Sequence, residues 1–148
     1  MDLNKILDQW ENHDCKIDSL RLEQVSHDTP PLHAKYLRLH SQAKMKLAKL
    51  EIEQKKLLKD KWLYYSGKMT KDQIEERGWD YDPFDGLKIL KSEMNHFYDS
   101  DPDLQNYEVK IEYMKEVVDV LKAIIDSLKW RHQTVKNIIE IKKFESGG

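Results

Sequence analysis

The chain has 148 residues, of which 35% are charged and 39% are hydrophobic, so we expect one domain with a small apolar core. The single cysteine, Cys15, excludes an internal disulfide and is typical of a reducing cytosol. No run of about 18 apolar residues is present, which excludes a membrane-spanning helix, and the start Met1-Asp2 lacks the basic region of a signal peptide.

Positive charge is concentrated in one window, although the net charge is only −2. Residues 35–71 contain eleven Lys or Arg and three Asp or Glu, and the rest of the chain is acidic. A basic block of this kind is typical of proteins that bind a polyanion. A solvated helix face rich in lysine is the alternative that charge alone leaves open.

The N-terminal residues 1–30 are predicted to form short helices. Apolar residues recur at helical spacing in the first ten positions, behind Asp2 as a cap. A second short segment is expected to begin near Ser19.

A long basic helix is predicted over about 31–66. Thr29 is a favourable N-cap and Pro30-Pro31 suit a first helical turn, while Gly67 can end the helix in the left-handed conformation. Alternating steps of four and three define a heptad seam with polar residues at three of its nine positions. The seam consists of Tyr36, His40, Ala43, Leu47, Leu50, Gln54, Leu57, Lys61 and Tyr64.

Residues 67–101 are predicted to be a connector with partial structure. A short helix is expected from Thr70 to Arg77, ended by Gly78, then a loop over 79–86 and another helix over 87–98.

The last predicted helix spans 102–145, behind Asp101 as a cap and with Pro102 in its first turn. Its apolar stripe is wide between residues 117 and 141, which favours contacts with more than one neighbouring helix. We interpret it as a packing face toward the first long helix plus a self-association surface. That surface is predicted to comprise Val117, Leu121, Ile124, Ile125, Leu128, Val135 and Ile138. An intramolecular bundle without an oligomer is the alternative.

Together these patterns predict one all-α domain over 1–148, a helical bundle with coiled-coil character that forms oligomers. No motif for catalysis or nucleotide hydrolysis fits the sequence. Two acidic strings fail as calcium loops because Lys91 and Lys110 stand where a bidentate Glu is required. We therefore expect no enzyme activity, no cofactor and no metal site.

The stretch KLLKDKWLYYSGK, residues 56–68, combines lysines with large aromatic residues near a helix end. Lysines neutralise phosphates, and flat rings stack on unpaired bases, so we predict a site for single-stranded nucleic acid. Its members are Lys55, Lys56, Lys59, Lys61, Trp62, Tyr64, Tyr65 and Lys68. In the alternative interpretation the rings pack the end of the bundle and the lysines stay in solvent. Composition does not distinguish DNA from RNA.

Several motifs in order resemble the UvsY family, the recombination mediators of T-even-type phages. They are LHSQAKMKLAKLEIEQKK at 39–56, LLKDKWLYYSGK at 57–68, KSEM at 91–94 and KKFESGG at 142–148. The resemblance covers most of the chain, with residues 1–30 and the connector matching least. The family's basic pair for DNA contact corresponds to Lys59 and Lys61, with Lys in place of Arg at 61.

The resemblance implies a protein that binds single-stranded DNA and loads a RecA-like recombinase of the UvsX type onto strand covered by a single-strand-binding protein. It also implies a ring-like homo-oligomer of about six to seven subunits and action in the cytoplasm of the infected bacterial host. The main rival function is a coiled-coil scaffold or adaptor whose basic helix docks an acidic protein partner.

Overall fold

The computed structural model describes residues 1–147, which form helices joined by turns and loops and contain no strand. Gly148, the last residue of the KKFESGG motif, lies outside the described residues. The helices are α1 (Leu3–Gln9), α2 (Leu22–Tyr65), α3 (Lys71–Arg77), α4 (Met94–Asp99), α5 (Pro102–Lys129) and α6 (Arg131–Glu145). A π-helical turn, Trp10–Asp14, follows α1, and a 3₁₀ turn, Lys91–Glu93, precedes α4. The prediction of an all-α fold is confirmed.

The first long helix begins nine residues earlier than predicted, because Thr29 does not cap it. The Thr29 hydroxyl donates to the carbonyl of Val25 at 2.7 Å, which is the back-bond of a Thr inside a helix. Pro30 and Pro31 lie within α2. Each proline removes one backbone donor and crowds the carbonyl four residues earlier, which disfavours helix, but α2 continues through both.

The predicted helix over 102–145 is divided at Trp130. Its backbone has φ −93° and ψ 0°, and its N–H donates to Ser127, three residues back. The sequence has no glycine or proline at this point, so nothing in the residue pattern announces the break.

The connector follows its prediction closely at α3 and less closely after it. Thr70 and Gln73 form a reciprocal capping box at the start of α3, and Gly78 ends it with φ +71°. The helix expected over 87–98 is shorter, because residues 87–90 are not helical and helical structure starts with the 3₁₀ turn.

The chain divides into two compact units, 1–46 with 114–148, and 47–113. The single-domain assignment stays a prediction. The apolar core of the first unit includes Tyr36, Ala43, Val117 and Leu121, each at most 1% exposed. In the second unit, apolar burial includes Tyr64, Ile74, Leu104 and Ile111.

The residues predicted for self-association lie in the interior of a single chain. Val117, Leu121, Ile124, Ile125, Leu128 and Val135 are all buried, and Ile138 is half-buried. We therefore reassign the six buried residues to the core, because the chain's own packing already removes their apolar surface from water. Large apolar side chains remain exposed farther along, notably Ile141 and Phe144 at 57% and 84%.

Candidate nucleic-acid interface

The basic-aromatic stretch 56–68 forms the C-terminal end of α2 and the turn that follows it. Gly67 adopts φ +73°, and the N–H of Lys68 donates to the carbonyl of Leu63 at 2.9 Å. This is the six-to-one bond of a Schellman motif, which requires a left-handed residue and so favours glycine. The predicted helix end at Gly67 is confirmed.

Helical geometry sends alternate lysines of this stretch to opposite faces. A helix turns by about 100° per residue, so Lys59 and Lys61 point about 200° apart. Lys55, Lys59 and Trp62 share the solvent face, and all three are exposed. Lys61 shares the other face with Tyr64, and both are buried.

The solvent face carries a basic strip that we define as Lys55, Lys59, Trp62 and Lys68. The Trp62 side chain is 46% exposed, and the Nζ of Lys68 lies 4.4 Å from the centroid of its indole ring. Lys56 is also exposed, beside the strip. The strip therefore offers cations for phosphates and an accessible ring for a base.

The one acid inside the stretch is neutralised by the connector. A carboxylate oxygen of Asp60 lies 2.6 Å from a guanidinium nitrogen of Arg77 in α3. This ion pair neutralises the negative charge next to Lys59, so the electrostatic potential at the strip stays positive.

Lys61, which was predicted as a member of the nucleic-acid site, is buried and is not part of the strip. It is 3% exposed, and its Nζ lies 2.9 Å from a carboxylate oxygen of Asp101 and 2.9 Å from one of Asp103. The ring centroid of Trp79 lies 3.8 Å from the same Nζ. A buried ammonium needs such partners because desolvation strongly disfavours an unpaired charge.

Asp101 receives donors from three directions. One oxygen accepts the backbone N–H groups of Asp103 and Leu104, so Asp101 caps α5 as predicted. The other accepts the Tyr65 hydroxyl at 2.6 Å and the ammonium of Lys61. Burial alone would raise the pKa of Asp101, but these hydrogen bonds outweigh it and hold the pKa below its usual range.

The two adjacent tyrosines pack the helix end instead of facing solvent. Tyr64 is 6% exposed and donates to the carbonyl of Asp80 at 2.6 Å. Tyr65 is half-buried, and its ring contacts Phe84, Phe97 and Tyr98. Burial and then the hydrogen bond to Asp101 raise the pKa of Tyr65. These two rings therefore match the alternative interpretation, in which the aromatic residues pack the end of the bundle.

Asp101 and Asp103 were missed as partners of the basic stretch. A signal for the buried lysine was available, because Lys61 occupies a position of the heptad seam that also contains Tyr36 and Tyr64. The acidic partners lie 40 and 42 positions farther along the chain, and no periodicity relates them to Lys61.

Among the described residues, no group of three or more His, Cys, Asp or Glu is arranged to hold a metal ion. None of the helices within 1–147 combines the length and apolar character needed to cross a membrane.

Comparison with known proteins gives one consistent result. The family described as "Recombination, repair and ssDNA binding protein UvsY" matches residues 9–148. The recombination protein uvsY of Enterobacteria phage T4 is 30% identical over 134 residues, 90% of each chain. One crystal structure of the bacteriophage T4 recombination mediator protein UvsY aligns with a TM-score of 0.80 at 26% identity, covering 99% of this chain and 98% of that one. Another aligns with a TM-score of 0.76 at 27% identity, covering 98% and 99%.

Proposed function

Because the chain belongs to the UvsY family of recombination, repair and ssDNA-binding proteins, we propose that it is a recombination mediator that binds single-stranded DNA through the basic strip. The observation that carries this proposal is the half-exposed Trp62 ring, with Lys68 over its face and Lys55 and Lys59 on the same side of α2. Stacking on a ring tolerates any base, and lysine contacts with phosphates ignore sequence. Both properties suit a protein that must act anywhere along a strand.

The Lys61 cluster supports the strip indirectly. Lys61 joins α2 to Asp101 and Asp103 and to the ring of Trp79. In the proposed mechanism it fixes the end of α2 against the connector and so positions the strip, while Lys59 contacts phosphate. The family's basic pair thus has two separate tasks in this chain.

Loading a RecA-like recombinase of the UvsX type onto strand covered by a single-strand-binding protein is the finer part of the proposal. A few lysines and one ring form a weak site, and several copies on one assembly bind a strand far more tightly. A strand held by such an assembly is transferred when the recombinase binds the presented conformation better than the covering protein does. This step needs no hydrolysis by the mediator, and its setting is the cytoplasm of the infected bacterial host.

Self-association belongs, in this proposal, to exposed apolar residues near the end of α6. Ile141 and Phe144 are 57% and 84% exposed, and Asn137, Glu140 and Glu145 line a shallow depression beside them. Exposed apolar patches of this kind favour contacts with another protein surface. A ring of about six to seven subunits closed by such contacts would satisfy the cyclic symmetry usual for homo-oligomers.

The decisive experiment is fluorescence anisotropy with a labelled thymidine oligonucleotide, measured over a series of salt concentrations. The double variant Lys55→Ala, Lys59→Ala is expected to bind more weakly, with the logarithmic salt slope reduced by about 1.4, since each phosphate contact on a single strand contributes ~0.7. The control is Lys5→Ala, Lys136→Ala, which removes two exposed lysines outside the strip and should keep the wild-type slope. An unchanged slope in the strip variant would remove the strip from the DNA site.

A further inference from the structure

A second charged site lies in the unit formed by 1–46 and 114–148, away from the basic strip in sequence. It is a cavity of about 410 Å³, which we call the Arg131 cavity. Its cationic lining residues are Lys16, Lys35 and Arg131. Part of its wall is apolar, formed by Val25, Pro31 and Leu32.

Arg131 is the unusual member of this cavity. It is 7% exposed, and its guanidinium donates to the backbone carbonyl of Asp14. That carbonyl is its only hydrogen-bond acceptor among the described residues, where it also forms no ion pair. A guanidinium has five N–H donors in a planar fork suited to a carboxylate. Burying one without a carboxylate in hydrogen-bond contact costs free energy, and burial lowers the pKa of Arg131 although the charge of Asp14 opposes that shift.

The nearest acid is already occupied by other donors. The carboxylate of Asp14 accepts the Lys35 ammonium at 2.7 Å and the Tyr36 hydroxyl at 2.7 Å. Those bonds hold the pKa of Asp14 below its usual range, against the opposing effect of its burial. Asp28 also lines the cavity, so the lining has three cations against two anions. One positive charge is left in excess, in a cavity that also has an apolar wall.

We propose that the Arg131 cavity binds an acidic peptide segment of a protein partner, with one carboxylate received by the fork of Arg131. A carboxylate supplies the bidentate acceptor that Arg131 lacks, and apolar side chains beside it fit against Val25, Pro31 and Leu32. A nucleic-acid backbone fits less well, because it offers no apolar side chains for Val25, Pro31 and Leu32, and its phosphates recur at every nucleotide beside Asp14 and Asp28.

The test uses a short fluorescein-labelled peptide of alternating Glu and Leu, and a matched peptide with Gln in place of Glu. The wild-type chain is expected to bind the Glu peptide and not the Gln peptide. Arg131→Gln should weaken binding at least tenfold, the scale expected when one partner of a buried charged pair is lost. Arg38→Gln removes an exposed cation of α2 outside the cavity and should leave binding unchanged.

A second variant keeps the test valid if Arg131→Gln fails to fold, which circular dichroism will report. Lys16 is exposed and lines the cavity, so Lys16→Gln should fold normally and weaken Glu-peptide binding several-fold. Equal binding by wild type and Lys16→Gln, or no binding by wild type, overturns the proposal. Displacement of the peptide by a thymidine oligonucleotide would also overturn it and assign the cavity to DNA. The salt slope of the Lys55→Ala, Lys59→Ala variant tests the strip independently of all these outcomes.

Discussion

Lys61 and Asp101 form an ion pair with Nζ 2.9 Å from the carboxylate oxygen, and their side chains are only 4% and 2% exposed. Removing one member of a buried ion pair leaves the other charge buried and unpaired. Lys61→Ala is therefore expected to lower the free energy of unfolding by about 3–5 kcal/mol. Urea denaturation followed by circular dichroism measures this loss.

Lys59→Ala is the matched control, because the same residue type is removed from the exposed face two positions away. Its free energy of unfolding should stay within about 0.5 kcal/mol of wild type. Equal stability of the two variants would contradict a structural task for Lys61.

The same pair predicts a specific acid sensitivity. The folded chain holds the pKa of Asp101 below its usual range, so the carboxylate stabilises the fold fully above about pH 4, the ordinary pKa of an unfolded Asp. This contribution is lost as the pH falls through the lower, folded-state pKa. Asp101→Asn keeps an N-cap residue for α5 but cannot titrate. Its stability should therefore vary less than that of wild type between about pH 5 and pH 2.

Asp99→Asn is the control for this experiment, since Asp99 is exposed and lies just before the cap. Its pH curve should run parallel to wild type. Asp14 also has a lowered pKa, so some acid sensitivity should persist in every variant. An Asp101→Asn curve that parallels wild type would show that the ion pair does not govern acid stability.

Trp62 should contribute to DNA affinity through stacking. Trp62→Ala is expected to weaken binding of a thymidine oligonucleotide by roughly 1–3 kcal/mol, the usual value for a base stacked on an aromatic ring. Trp62→Phe retains a flat ring and should recover most of that affinity. The fold should be nearly unaffected, because Trp62 is half-exposed. Equal affinities of the Ala, Phe and wild-type chains would exclude stacking at this position.

We expect substitutions in α6 to affect self-association and substitutions in α5 to affect folding stability. Ile141→Glu with Phe144→Glu adds charge to side chains that are already exposed, so the monomer should stay folded while the particle mass falls. Leu121→Ala opens a fully buried position and should cost about 2–5 kcal/mol of stability. Light scattering measures the mass and urea denaturation the stability. An Ile141→Glu, Phe144→Glu chain with wild-type mass would place self-association elsewhere.

The helical fold could be predicted from the sequence because it depends on local periodicity and on glycine caps such as Gly67 and Gly78. The ends of a helix are harder to predict where a polar side chain can form either of two local hydrogen bonds. The Thr29 hydroxyl donates back to the carbonyl of Val25 instead of capping the helix, and α2 begins nine residues earlier than predicted, at Leu22. The break at Trp130 has no residue signal at all.

Only part of the candidate nucleic-acid interface could be predicted from the sequence. The solvent face with Lys55, Lys59 and Trp62 follows from helical spacing alone. The interior position of Lys61 depends on Asp101, Asp103 and Trp79, which are brought to it only by folding. Likewise, the width of the stripe near Leu121 indicated burial but did not distinguish a partner chain from the chain's own helices.

The opposite environments of Lys59 and Lys61 also affect how the two positions should change during evolution. Lys59 faces water, so exchange with Arg, or a shift of the cation by one helical turn, should be tolerated among descendants of this chain. Lys61 contacts two carboxylates and an indole ring, so its replacement should be accompanied by replacements at Asp101 or Asp103. Neighbouring lysines of one short motif would then carry different covariation signatures.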